Sequence, residues 1–173
     1  MPEIRSIAGR TLVGSLILLC IGAGYVIRRH AGRGVPVNHW LADGTIASFT
    51  DDTRILPAHG FPVRRDISLN GKALLEVPAA HRPLVIRTRL MRLEVIRPST
   101  LLVTARWRQS GEEVEVLTGE VIVRKNYRSN GRRPDDLRAG QMAMVNRTID
   151  LLEKETIGAA SLARIRAWAK TLK

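Results

Sequence analysis

Between Arg10 and Arg28 the chain runs through 17 residues without a charge, TLVGSLILLCIGAGYVI. At a helical rise of about 1.5 Å per residue they cover roughly 25 Å, the lower edge of a bilayer core. Leu12, Val13, Leu16, Ile17, Leu18, Leu19, Ile21, Val26 and Ile27 leave no polar side, whereas an amphipathic surface helix keeps one. The pattern predicts a single transmembrane helix over 11–27 behind a short basic tail, 1–10. No small-x-small cleavage site follows the apolar run, and Leu18-Leu19 ahead of Cys20 is no lipidation signal, so the span is expected to stay uncut. Gly14, Gly22 and Gly24 either pack against another membrane helix or reflect the ordinary tolerance of such helices for glycine.

Residues 28–40, RRHAGRGVPVNHW, have neither helical nor strand period and are expected to be a juxtamembrane linker. Trp40 is placed either at the headgroup level or as the first residue of the domain core. Orientation rests on small differences. A basic start before one apolar run favours a cytoplasmic N-terminus, while the doublet Arg28-Arg29 argues the other way.

Beyond the linker a soluble domain is expected over 41–173. Thr45–Phe49 and Ala73–Val77 have strand character, and Asn70-Gly71 between them is the strongest turn signal in the chain. Leu84–Ile96, Leu101–Arg108 and Val114–Lys125 are three runs rich in Val, Ile, Leu and Thr with short polar connections, which favours an antiparallel meander. In the middle run the period of two sets Trp107 on the buried face, with Leu101, Val103 and Ala105. Parity changes within the third run at Gly119, where a bulge is expected.

After the loop YRSNGRRPDD the period changes. Leu137, Gln141, Met144, Val145, Ile149 and Leu152 fall at helical spacing, Pro134-Asp135-Asp136 suits a helix start, and Gly158 an end. A second helix is expected from Ser161, with Leu162, Ile165, Ala169 and Leu172 as its stripe. The predicted fold is therefore α+β: an N-terminal transmembrane helix, then a small antiparallel β-sheet packed by C-terminal helices.

Composition adds a bias of charge. The 173 residues hold 28 Lys and Arg against 16 Asp and Glu, a net charge of +12. One cysteine excludes an internal disulfide framework and any Cys-based zinc cluster. His30, His39, His59 and His81 show no metal-ligand spacing, and no serine stands in a nucleophile-elbow setting. Asp51-Asp52 and Asp135-Asp136 are neighbours, which along a strand point to opposite faces. No catalytic, metal or cofactor residue is assigned, and an enzyme is not expected. The arginines are the remaining feature. Arg64, Arg65, Arg87, Arg89, Arg92, Arg106 and Arg108 fall in or near the strands, and Arg124, Lys125, Arg128, Arg132 and Arg133 crowd the loop after the last one. Such a surface attracts an acidic protein, anionic lipid or nucleic acid. The last is disfavoured by the scarcity of aromatic residues.

The segment LLVTARWRQSGEEVEVLTGEVIVRKNY, with the helix expected near Asp135, resembles the auxiliary component of ABC-type intermembrane lipid transport systems, the periplasmic lipoprotein partner of paraquat-inducible-type complexes. The likeness is carried by Ala105-Arg106-Trp107-Arg108 at the end of a strand, a polar turn, a second strand and a C-terminal helix, over 84–158. It departs from that family in lacking a lipobox at Cys20 and in the stretch inserted between span and matching region. The resemblance implies a non-enzymatic periplasmic accessory subunit.

The functional expectation is accordingly a bacterial inner-membrane protein, single-pass with a periplasmic domain. It would serve as an accessory or assembly subunit of a transport or secretion complex, touching other membrane subunits and lipid. The alternative is a basic module that holds nucleic acid or anionic lipid on the cytoplasmic side.

Overall fold

The computed structural model describes residues 37–49, 53–129 and 135–171, which form twelve strands and one helix. The strands are β1 (Val37–Trp40), β2 (Ile46–Phe49), β3 (Arg54–Pro57), β4 (Asp66–Val77), β5 (Leu84–Arg87), β6 (Met91–Val95), β7 (Ser99–Ala105), β8 (Gly111–Thr118), β9 (Glu120–Lys125), β10 (Asp135–Arg138), β11 (Gln141–Asn146) and β12 (Leu151–Thr156), followed by α1 (Ala159–Thr171). The architecture is mostly β, which corrects the α+β expectation. Nine strands follow one another in the order β10-β9-β6-β5-β4-β7-β8-β11-β12, a nearly closed, barrel-like sheet, with β1, β2 and β3 attached beside β4. The β4–β5 pair is parallel and the other pairs are antiparallel, so the sheet is mixed rather than antiparallel.

The curvature is concentrated at corners. The first half of β4 pairs with β3 and β5, through Asn70, and the second half with β2 and β7, from Gly71 onward. Asn70-Gly71 is thus no hairpin turn. It is the kink at which one long strand passes between two layers, Gly71 taking φ 128° beside Thr53. The parity change at Gly119 marks a second corner: β8 pairs with β7 and β11, whereas β9 pairs with β6 and β10. The expected meander fails for the same reason. Leu84–Ile96 is two strands turning at Thr88–Leu90, and β6 and β7 lie in different layers.

Between the layers the core is aliphatic. Ile67, Leu75, Leu84, Ile86, Leu93, Leu101, Val103, Val114, Val116, Val121 and Val123 are fully buried. β4 and β7 also bury residues of the other parity. Leu74 and Leu102 face outward and pack with Ile157 and Ile165 beneath α1, flanked by Leu162, Trp168 and Ala169. The C-terminal helix was therefore foreseen correctly in its place and apolar stripe, apart from Leu172, which lies outside the described residues. Beneath α1, burial raises the Glu115 carboxyl above its ordinary range, helped by Glu113 and opposed by Lys72 and Arg164.

The first expected C-terminal helix is absent: 135–156 forms β10, β11 and β12. Leu137, Ala143 and Val145 alternate toward the core. Met144, which faces outward, and Leu152, which lies opposite Val145 against the core, fell with Leu137 and Val145 at spacings that imitated a helical stripe. The linker also ends earlier than expected, because Val37–Trp40 is β1, paired with β2, and Trp40 is exposed rather than in the core. Among the described residues no helix is long and apolar enough to cross a membrane; the span expected over 11–27, with Gly14, Gly22 and Gly24, lies outside them.

Candidate functional site

Register places five connections at one end of the sandwich. β1 is entered there, since Val37 shares a row with Phe49, Ala73 and Val103, and Gly71 with Ala105 lies beyond that row. The β7–β8 turn, Arg106 to Ser110, continues outward from Ala105, and the β11–β12 turn, Arg147 to Asp150, stands next to it through the Gly111–Asn146 pair. The β5–β6 turn and the segment following β9 complete this end.

Trp107 sits in the β7–β8 turn and is 69% exposed, against the expectation of a buried indole. The strand ends at Ala105, so the alternation that placed it inward stops two residues short. Its backbone N–H donates to Asn70 Oδ1 at 3.2 Å. On one side it walls a cleft of about 370 Å³ that reaches Arg54, Arg87, Arg89 and Asn126. On the other it borders a second of about 380 Å³ between Thr53, Arg106 and Arg108.

Buried polar bonds hold the turns in place. Glu112, 2% exposed, accepts from the Leu90 N–H at 2.9 Å and from the Thr88 hydroxyl. Arg89 lies with Nε 3.7 Å from Glu112 Oε1 and donates through an NH₂ group to the Gln109 carbonyl at 2.5 Å. The β5–β6 turn, the start of β8 and the Trp107 turn are thereby one network, and such networks rigidify the elements they join.

A second lock joins β9 to the β11–β12 turn. Lys125 Nζ donates to Asp150 Oδ1 at 2.8 Å, and the Ser129 hydroxyl to Asp150 Oδ2 at 2.9 Å. These bonds, from Lys125 first and then Ser129, lower the Asp150 carboxyl from 3.8 to about 2. A depressed carboxyl pKa adds stability above its unfolded value and loses it as the proton returns. The contribution is therefore complete above about pH 4 and vanishes as pH falls through about 2. A carbon-detected NMR titration should find the Asp150 midpoint near 2, rising toward 3.8 in Lys125→Met. An unchanged midpoint in that variant would remove the lock as its cause.

The twelve basic residues singled out in the sequence divide by role. Arg65 is buried, its Nε 2.9 Å from Asp43 Oδ2. Arg87, Arg92 and Arg124 form one cross-strand row on the outside of β5, β6 and β9. Asp66 binds Arg87 at 2.8 Å, and Glu94 lies 3.1 Å from Arg92 and 3.6 Å from Arg124. Arg89 and Lys125 belong to the networks above. Arg64 is exposed in the β3–β4 connection. Arg106, Arg108 and Arg128 are exposed at the Trp107 end, and no ion pair or side-chain hydrogen bond engages them among the described residues. Arg132 and Arg133 lie outside the described residues. Sequence reasoning missed Arg54, Arg147 and Ile149, which belong to the same end; the false helix over 135–157 concealed the last two.

No protein-family model matches the chain, and no curated protein matches it in sequence. The fold has a solved counterpart. Two crystal structures of a candidate anti-sigma factor from Parabacteroides distasonis ATCC 8503 match with TM-score 0.67 at 22% identity, over 82% of this chain. The match covers 63% of the other chain, and at this identity it is a likeness of fold.

Proposed function

We propose that this chain is a non-catalytic, membrane-anchored regulatory subunit whose β-sandwich is a partner-contacting body, working with other membrane subunits of a signalling complex. The observation that supports it most is the fold shared with the candidate anti-sigma factor over 82% of this chain. The uncharged run over 11–27 supports the anchor, and the rigid, arginine-bearing end supports contact rather than chemistry. Neither a transport complex nor nucleic acid draws support from the fold, and the helix that the transport-family resemblance required at Asp135 is a set of strands.

Deletion of the gene, with RNA sequencing and carbonate extraction of the full chain, tests this reading. A small group of transcripts is expected to change and to recover with the restored copy, and the chain should remain in the carbonate-washed membrane. An unchanged transcript profile overturns the regulatory role. Release by carbonate overturns the anchor.

A further inference from the structure

We propose that the Trp107 end of the sandwich rests on the anionic headgroup surface of the membrane that holds the anchor. The proposal builds on the anchored reading above and adds which face of the domain meets lipid.

The direction of β1 is the first argument. The chain enters the domain at Val37, in the row of Phe49, Ala73 and Val103, and runs away from the Trp107 turn toward Trp40, in the row of Ile46, Glu76 and Thr100. Nine residues, 28–36, separate the expected span from Val37, and even fully extended they reach only about 30 Å. The chain thus enters the domain on the side of the Trp107 end, and the row of Trp40 lies about 10 Å beyond the entry row, away from that end.

The chemistry of the two neighbouring tips is the second. Trp107 is 69% exposed and Ile149 66%, each at the apex of a hairpin, and large apolar side chains at adjacent apices are costly in water. Tryptophan between two arginines suits the interface, where the indole lies among headgroups and guanidinium groups meet phosphate. Arg106 and Arg108 flank the indole, and Arg147 near Ile149 lies 5.7 Å from the Tyr127 ring. Of the acids nearby, Glu112 is buried in its network and Asp150 is bound by Lys125, which leaves Glu113, in a cleft it shares with Arg108, to set against Arg106, Arg108 and Arg128. An acidic peptide would fit the same charges. Proximity to the anchor and two apices that project favour the membrane.

The test uses the full chain in nanodiscs of phosphatidylcholine, alone or mixed with phosphatidylglycerol, carrying lipids brominated near the glycerol end. W40F/W168F leaves Trp107 as the sole indole, and W107F/W168F leaves Trp40. Trp107 is expected to be quenched and blue-shifted in the anionic discs, less so in the neutral ones or at high salt, while Trp40 stays unquenched. Each arginine near an anionic leaflet is worth roughly fivefold in partitioning, so R106Q/R108Q should reduce the docked-to-free ratio about 25-fold. Both side chains are exposed, and circular dichroism of that variant checks that the fold is kept. Water-exposed emission from Trp107 while the chain stays disc-bound overturns the docking and leaves the anchor standing. Quenching of Trp40 in place of Trp107 also overturns it. An acidic peptide that shifts Trp107 emission with no lipid quenching gives the face to a protein ligand instead. A chain that does not enter discs but floats with phosphatidylglycerol vesicles, and loses this in W107A/I149S, supports the docking while overturning the anchor; one that does neither overturns both.

Discussion

Replacing Asp43 by alanine is expected to cost about 3–5 kcal/mol of folding stability, the range found when one partner is removed from a buried ion pair. Its side chain is 3% exposed and that of Arg65 7%, so neither charge has water to fall back on. The carboxylate accepts from the Thr45 N–H and the Thr45 hydroxyl, both at 3.0 Å, and from Arg65 Nε at 2.9 Å. Arg65 in turn donates to the Arg82 carbonyl at 2.7 Å, and its own carbonyl accepts from the Val85 N–H at 2.7 Å. One pair therefore ties the β1–β2 turn, the start of β4 and the entry to β5. Alanine at 43 leaves a guanidinium buried without its counter-charge, and the desolvation already spent on Arg65 is no longer offset. Asp43→Asn keeps the acceptor for Thr45 and should cost less, and replacing both partners with apolar residues should recover much of the loss. Urea denaturation of the three variants decides this. A loss below 1 kcal/mol for Asp43→Ala would mean that water reaches Arg65 in the folded protein.

The strands between Leu84 and Lys125 were legible because β-branched residues dominate there and polar turns interrupt them. Which layer each strand joins was not legible, since a corner needs only one residue of unusual backbone, and Asn70-Gly71 serves a hairpin and a kinked strand equally well in sequence. β10 to β12 were lost to a second ambiguity. A strand with apolar residues on both faces, as in β11 with Met142 and Met144 opposite Ala143 and Val145, shows i to i+4 coincidences that mimic a helix. The arginines show the limit for sites. Composition revealed a basic surface, but Arg65 behind Asp43 and Arg87 on Asp66 were drawn into structural pairs by residues far away in sequence. What remained unpaired among the described residues, Arg106 and Arg108 beside an exposed indole, was visible as a motif. Its accessibility was hidden, because the strand's period says nothing about where the strand stops.

Gly119→Ala should be the most damaging change of a single methyl group, about 2–6 kcal/mol, and it tests the corner directly. Gly119 adopts φ 85°, a conformation that costs an alanine about 1–3 kcal/mol. A methyl group there would also stand 2.3 Å from the Pro98 carbonyl oxygen and 2.1 Å from Ser99 Oγ. The hydroxyl can rotate away at the loss of its bond from the Glu120 N–H, 3.1 Å long, but the carbonyl belongs to the backbone entering β7. Relieving the clash means separating β7 from the β8–β9 junction, and such overpacking costs typically about 1–3 kcal/mol more. Gly140 supplies the control. Its φ is 81°, nearly the same, yet nothing lies within 4 Å of the position a methyl group would take. Gly140→Ala should therefore show the backbone cost alone, and the difference between the two variants measures the close approach at Gly119. If both unfold at the same urea concentration, the corner is not packed against Pro98 as the geometry requires, and the passage of the chain from β8 in one layer to β9 in the other must be held by something else.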